Sequence, residues 1–202
     1  MIIEKKYDFS FTAASLRLNE MLLVLNAWEI EKREIDFTNE LGNGKQNTGK
    51  RLLLEFKKRI ESFTQEQKNA ILTTDSIAQK QIALVGICKT YTFIRDFVVE
   101  VLREKVLVFD YQITEGEYMT FCRRKAELHP EIEQLSESSQ LKIKQVTFKI
   151  LEQVGIIDSV KSKIIQPQLI SQEVKNVVFS DSPSLLKVLF VSDYDILTHT
   201  SN

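Results

Sequence analysis

Apolar residues recur every three or four positions over most of the chain, and this spacing predicts a protein built mainly of α-helices. Thr64-Gln-Glu-Gln67 has the form of a capping box, in which the first and last side chains satisfy backbone N–H groups at a helix start. Three glycines mark residues 42–49 as the clearest loop, and Thr48 near its end is the predicted cap of the next helix. In the first half of the chain, the predicted helices cover residues 10–28, 29–41, 48–63, 64–72, 76–90 and 91–106.

The second half begins with another capping box, Thr114-Glu-Gly-Glu117, which predicts a helix over residues 114–128. A short helix at 130–135 and a longer helix at 136–154 follow. Ser136 or Ser138 caps the longer helix, and Gly155 provides the stop. The apolar couplets at 156–157 and 164–165 flank a polar turn, as in a β-hairpin. Residues 171–178 are also predicted to be helical, whereas residues 184–191 are apolar with a period that fits either a helix or a strand.

These elements predict a mainly α fold. Its N-terminal part is a helical bundle, and its C-terminal part resembles a winged helix-turn-helix with a short β-hairpin. The pattern changes near residues 110–114, which places a subdomain boundary there. The predicted units are 1–110, 111–178 and a tail, 179–202, that could form a packed helix.

The charge of the chain is balanced, with 27 Lys and Arg residues against 28 Asp and Glu residues. Nucleic-acid binding would therefore depend on a local basic patch. The two cysteines, Cys88 and Cys122, are far apart among apolar neighbours, which favours a reduced, intracellular protein. The start of the chain lacks the apolar run of a signal peptide, and charges interrupt the most hydrophobic region, 82–109. We expect a cytoplasmic protein without membrane contacts.

The helix predicted from residue 48 is strongly basic. From Lys45 to Arg59 there are six basic residues and one acid, a net charge of +5. The basic residues of this helix form either a solvated helix face or a contact surface for backbone phosphates. The cations that flank the apolar stripe, and that form this candidate surface, are Lys50, Arg51, Lys57 and Lys58.

The helix at 136–154 is the predicted recognition helix, which would lie in the major groove of DNA. Its polar arc carries Lys142, Gln145 and Lys149, residue types that suit phosphates and base edges. The wing would add Lys161 and Lys163. The alternative is that three helices and a hairpin simply form a small packed domain, since this pattern is not a signature of one function.

The sequence contains little evidence of a catalytic site or a cofactor site. Residues 44–50 match most of a phosphate-binding loop, but Arg51 stands where a hydroxyl is required and no apolar strand precedes the loop. Cys122 and His129 are seven positions apart, about 10 Å along a helix, too far for a nucleophile and its base. No usual zinc spacing is present. We expect no catalytic residues, no metal, no cofactor and no small-molecule substrate.

One block of sequence resembles the BrxA family of bacterial BREX phage-exclusion systems. It runs from Tyr91-Thr-Phe-Ile-Arg95-Asp96-Phe97 to Phe121-Cys-Arg123-Arg124-Lys125 and on to Glu131. The opening Tyr7-Asp-Phe9-Ser10-Phe11, the segment Lys50-Arg51-Leu-Leu-Leu-Glu55 and the later Gly155-Ile-Ile-Asp158 add to it. The resemblance implies a small, helical, non-enzymatic protein that binds double-stranded DNA and acts with other BREX components. A protein–protein adaptor and an RNA-binding, antitermination-like factor remain as alternatives.

Overall fold

The structure, a computed structural model, describes residues 6–199. The mainly α class is confirmed, and strand pairing within the described range is limited to two isolated β-bridges. Short 3-10 helices cover Ser10–Ala13 and Pro183–Leu189. The α-helices are α1 (Leu18–Asn26), α2 (Gln46–Glu61), α3 (Gln65–Thr73), α4 (Ser76–Thr90), α5 (Thr92–Phe97), α6 (Glu104–Leu107), α7 (Glu115–Ala126), α8 (Glu137–Val154), α9 (Gln172–Asp181) and α10 (Asp193–Thr198).

Three of the predicted helix starts carry the polar cap that the sequence indicates. Thr64 and Thr114 each close a capping box, at α3 and α7 respectively. The Ser136 side chain accepts from the backbone N–H of Ser139 at the start of α8. Gly155 ends α8 with φ 81°, the left-handed conformation that glycine adopts without strain. These local predictions are confirmed.

The predicted first helix, 10–28, is wrong at its start. After the 3-10 turn the chain is extended at Ala14, and α1 begins only at Leu18. The physical reason is Arg59, whose guanidinium donates to the carbonyls of Ala14, Ser15 and Leu16. A continuous helix would use those carbonyls for its own hydrogen bonds.

The predicted helix at 29–41 is also wrong. Two separate π-helical turns, Ala27–Glu31 and Phe37–Leu41, lie on either side of an irregular stretch that starts with Lys32 at φ 54°. Helix α2 starts at Gln46, inside the predicted loop, so Thr48 is not its cap. Gly49 instead lets α2 approach the preceding turn, since a Cβ there would lie 1.8 Å from the Phe37 carbonyl oxygen.

Other predicted elements hold with smaller changes. Helix α4 has the predicted bounds, and α5 continues through a π-helical segment, Val98–Arg103, into α6, so 92–107 is one helix. Residues 130–135 form consecutive turns instead of a short helix, with Ile132 N–H donating to His129 C=O at 2.9 Å. The ambiguous apolar stretch near the end is largely the 3-10 helix, and α10 lies in the predicted tail.

A single hydrophobic cluster extends through the molecule, and α4 lies near its centre, in contact with α2, α3, α8 and α9. Aromatic rings join the N-terminal and C-terminal parts: Phe97 lies 5.3 Å from Tyr118 and 5.8 Å from Phe148, measured between ring centroids. This packing fixes α8 against the bundle. The subdomain boundary near residue 110 stays a prediction. Over residues 6–199, the helices are all too short or too polar to span a bilayer.

Candidate nucleic-acid interface

A small backbone ladder follows α8 and holds the predicted wing. Gln166 N–H donates to Ile156 C=O at 2.8 Å, which pairs the two arms of the hairpin. Ile165 N–H donates to Tyr111 C=O at 2.7 Å, so a third segment, just before α7, joins the ladder. The sequence does not predict this segment, because residues 111–113 are too few to show an alternating pattern. The ladder brings the start of α7, the end of α8 and the hairpin together.

The turn of the hairpin, residues 158–163, is held by one carboxylate. Asp158 accepts hydrogen bonds from the Ser162 hydroxyl at 2.7 Å and from the backbone N–H groups of Ser159 and Ile164 at 2.6 and 2.9 Å. The Ser162 hydroxyl and these N–H groups hold the pKa of Asp158 below its usual value. The turn therefore presents its two lysines from a fixed backbone.

A groove of about 520 Å³ lies between α8, the start of α7 and this turn. Four of the five residues predicted for the recognition helix and wing line it: Lys142, Gln145, Lys149 and Lys163. Lys161 is exposed on the turn but does not line the groove. The wall also includes residues that were not predicted from the sequence, among them Glu115, Leu141, Lys144 and Val160.

Acids neutralise part of this surface. Lys149 pairs with Glu152, and Lys163 lies 3.7 Å from Glu115, which also binds Lys144. The hydrogen bond from Lys149 lowers the pKa of Glu152, and the bond from Lys144 lowers that of Glu115. Both carboxylates are therefore ionised at neutral pH. Lysines 142 and 161 make no ion pair within residues 6–199.

The four cations of the second predicted surface, on α2, are exposed, but two of them form ion pairs with acidic residues. Lys58 Nζ lies 2.9 Å from Asp8 and 3.5 Å from Glu55, and Lys57 Nζ lies 3.7 Å from Glu61. Burial opposes the charge of Lys58, but the bond to Asp8 and the nearby Glu55 raise its pKa overall. Lys50 and Arg51 are exposed and, as far as the described chain shows, form no ion pair.

Arg59 does not belong to this basic surface, although it is one of the six basic residues between positions 45 and 59. Its side chain is fully buried and donates to the Ser15 carbonyl at 2.8 Å. Its Nε lies 3.4 Å from the Tyr91 hydroxyl, which donates to Glu55 at 2.5 Å. Burial and the contact with Glu55 raise the pKa of Tyr91. Arg59 is a structural cation and is unavailable to phosphate.

Cys122 and His129, the pair weighed as a nucleophile and base, have different surroundings in the structure. His129 lies beyond the end of α7, buried against the ring of Tyr7 at 3.7 Å, with Nδ1 3.1 Å from Glu131. Burial raises the pKa of Cys122, which disfavours its thiolate. Residues 6–199 contain no cluster of three or more His, Cys, Asp or Glu side chains able to hold a metal.

An apolar cleft of about 190 Å³ lies beside the groove and was not predicted. It forms where the N-terminal segment and the turns at 130–135 meet α7 and α8. Because these segments are distant in the sequence, no local sequence pattern predicts the cleft. Leu141 and Lys144 line both the cleft and the groove. Its other walls include Phe9, Phe93, Tyr118, Cys122 and Leu135.

Comparison with known proteins agrees with the resemblance in the sequence. A crystal structure of an uncharacterized protein from Magnetospirillum magneticum has a similar fold, with a TM-score of 0.76 at 16% identity, over 92% of this chain and 98% of that chain. No curated protein matches. The sequence profile of the BrxA family matches residues 5–181. The chain therefore belongs to the BrxA family, whose members are associated with BREX phage defence.

Proposed function

We propose that this protein is a non-enzymatic, cytoplasmic accessory protein of a BREX system that binds double-stranded DNA. The observation that carries the proposal is the convergence of Lys142, Gln145, Lys149 and Lys163 on one groove beside α8. The order of α7, α8 and the hairpin, with the added segment at 111–113, supports the interpretation as a winged helix-turn-helix. In such a domain the second of the two helices is the one that enters the major groove.

The chemistry of the groove suits a duplex backbone. Lysines neutralise phosphates regardless of sequence and supply most of the affinity, whereas an exposed glutamine can bond a base edge. Gln145 is exposed on α8, between Lys142 and Lys149 in the sequence. We therefore assign phosphate contacts to Lys142, Lys149 and Lys163, with Lys161 near the same backbone, and a base contact to Gln145.

The basic edge of α2 is proposed as a second contact surface. Its exposed cations could meet a neighbouring stretch of backbone, where each neutralised phosphate adds to affinity. The ion pairs of Lys57 and Lys58 reduce what those two residues can offer, so Lys50 and Arg51 are the main contributors of the four.

The direct test is a titration of a labelled duplex of about 30 base pairs, roughly three helical turns. We expect binding that weakens between low and physiological salt, with a slope of about −0.9 in log K against log salt for each phosphate contact. Structured RNA should compete less well than unlabelled duplex. Binding that prefers the RNA would instead support the antitermination-like alternative.

The apolar cleft favours a second candidate, an adaptor that docks another BREX component. Its lining side chains include the half-exposed Met119 and Leu141, which a partner could cover. This candidate predicts co-purification with a BREX subunit and no salt-dependent shift with any nucleic acid. The two candidates are therefore separated by the same titration.

A further inference from the structure

Glu115 lies inside the proposed DNA-binding groove, at the first position of α7. One carboxylate oxygen accepts a hydrogen bond from Lys144, and the other lies 3.7 Å from the ammonium of Lys163. Its side chain is half exposed, so solvent and ligands can reach it. A single acid thus engages two of the four lysines that line the groove.

The surroundings of the Glu115 carboxylate are also suited to binding a phosphate group. Two ammonium groups face its oxygens, and the start of α7 adds the partial positive charge of a helix N-terminus. An anion held there is stabilised by the same interactions as a DNA phosphate. The two anions cannot both hold Lys144 and Lys163 without strong repulsion.

We propose that Glu115 occupies a phosphate position in the groove and restrains its affinity for DNA. This inference rests on the proposed function. Binding exchanges the contacts of Lys144 and Lys163 with Glu115 for contacts with the DNA backbone. Glu115 therefore disfavours weak, non-specific binding, because only a duplex that makes additional contacts can displace it.

The test compares duplex binding by the wild type and Glu115→Gln as a function of salt. We expect the variant to bind roughly three- to tenfold more tightly at low salt. Its slope of log K against log salt should steepen by up to about one, since the removal of one carboxylate raises the net positive charge that faces the DNA backbone by one. Thermal unfolding of both proteins shows whether the fold is retained.

The matched control is Glu173→Gln, which removes the same charge from the first turn of α9, outside the groove. We expect its binding to change less than about twofold, as for a distant exposed charge under screening. The gain from Glu115→Gln should also vanish when Lys144 and Lys163 are both changed to Gln. A local competition predicts this loss, whereas a general effect of net charge does not.

The outcomes distinguish the two proposals. If the wild type binds duplex but Glu115→Gln binds equally or more weakly, the restraint by Glu115 is refuted while the DNA-binding function stands. If Glu173→Gln strengthens binding as much as Glu115→Gln, the restraint is again refuted. If neither the wild type nor Glu115→Gln binds duplex at low salt, the proposed function fails and the inference fails with it.

Discussion

The ammonium of Lys163 lies 5.3 Å from the centroid of the Phe148 ring. Lys163 ends the turn of the hairpin, and Phe148 projects from α8 into the core, so this cation–π contact joins the two walls of the groove. The backbone carbonyl of Lys163 also accepts from Ile113 N–H at 3.1 Å. These contacts therefore fix the backbone of the turn against α8 and the segment before α7.

On α2, the free cations should matter more for DNA than the paired ones. We predict that Lys50→Gln/Arg51→Gln lowers duplex affinity roughly threefold or more and makes the salt slope shallower by about one to two. Lys57→Gln/Lys58→Gln should change affinity less, because both lysines already have acidic partners. Anisotropy titrations at several salt concentrations measure both. A larger loss for the second pair would rule out this assignment.

Arg59 should be required for stability. We predict that Arg59→Met lowers the free energy of unfolding by about 3 kcal/mol, because it leaves buried carbonyls unpaired. It also removes the cation beside the network formed by Tyr91 and Glu55. Urea denaturation measures the loss, with the exposed Lys57→Met on the same helix as the control, expected within about 0.5 kcal/mol of wild type. Equal, small effects of both changes would disprove the structural role.

Gly49 should tolerate no side chain. Gly49→Ala would place a methyl group on the Phe37 carbonyl oxygen, so we predict a loss of about 2 kcal/mol or more. Gly116→Ala, in the first turn of α7, is the control, since the nearest atom to its Cβ would be 3.9 Å away. That change should be neutral or stabilise by up to about 1 kcal/mol. The melting temperatures of the two variants should therefore move in opposite directions or at least differ clearly.

Acid should weaken the fold through the cluster around Lys105. A hydrogen bond from Lys105 holds the pKa of Asp110 below its usual 3.8. Burial of Glu117 tends to raise the pKa of its carboxyl group, but hydrogen bonds from Lys105 and Thr114 outweigh burial, so the pKa is lowered. A carboxyl with a depressed folded pKa contributes stability above its unfolded pKa and loses it as the pH falls through the folded pKa. We predict that stability falls as the pH drops below about 4.5.

The variant Lys105→Met tests this origin. This change removes the cation that lowers the pKa values of Asp110 and Glu117. The urea midpoint of the variant should therefore change less between about pH 6 and pH 3.5 than that of the wild type. An unchanged pH dependence would show that other carboxylates account for the acid sensitivity.

Elements fixed by local chemistry could be predicted from the sequence. The capping box at Thr64, the cap at Ser136 and the stop at Gly155 each depend on residues within one helical turn. The late start of α1 could not be predicted, because Arg59 binds carbonyls that lie 43 to 45 positions earlier in the chain. The same long-range contact removed Arg59 from the expected basic surface.

The candidate site divides in the same way. Lys142, Gln145 and Lys149 share a face of one helix, and the helical period alone places them together. Lys144 was missed because it turns toward Glu115 on another helix, and the third segment of the ladder was missed because it pairs with residues about 50 positions later. Contacts between distant segments leave no periodic signal in the sequence.

The central claim is that the groove beside α8 binds duplex DNA, and the most direct measurement is duplex affinity of Lys142→Glu/Lys149→Glu at low salt. The matched control is Lys80→Glu/Lys175→Glu, which makes the same charge change on α4 and α9. We predict at least about a tenfold loss for the groove variant, with a salt slope shallower by about two, and less than about a twofold change for the control. Unchanged binding by a folded groove variant, or an equal loss in the control, would contradict the claim.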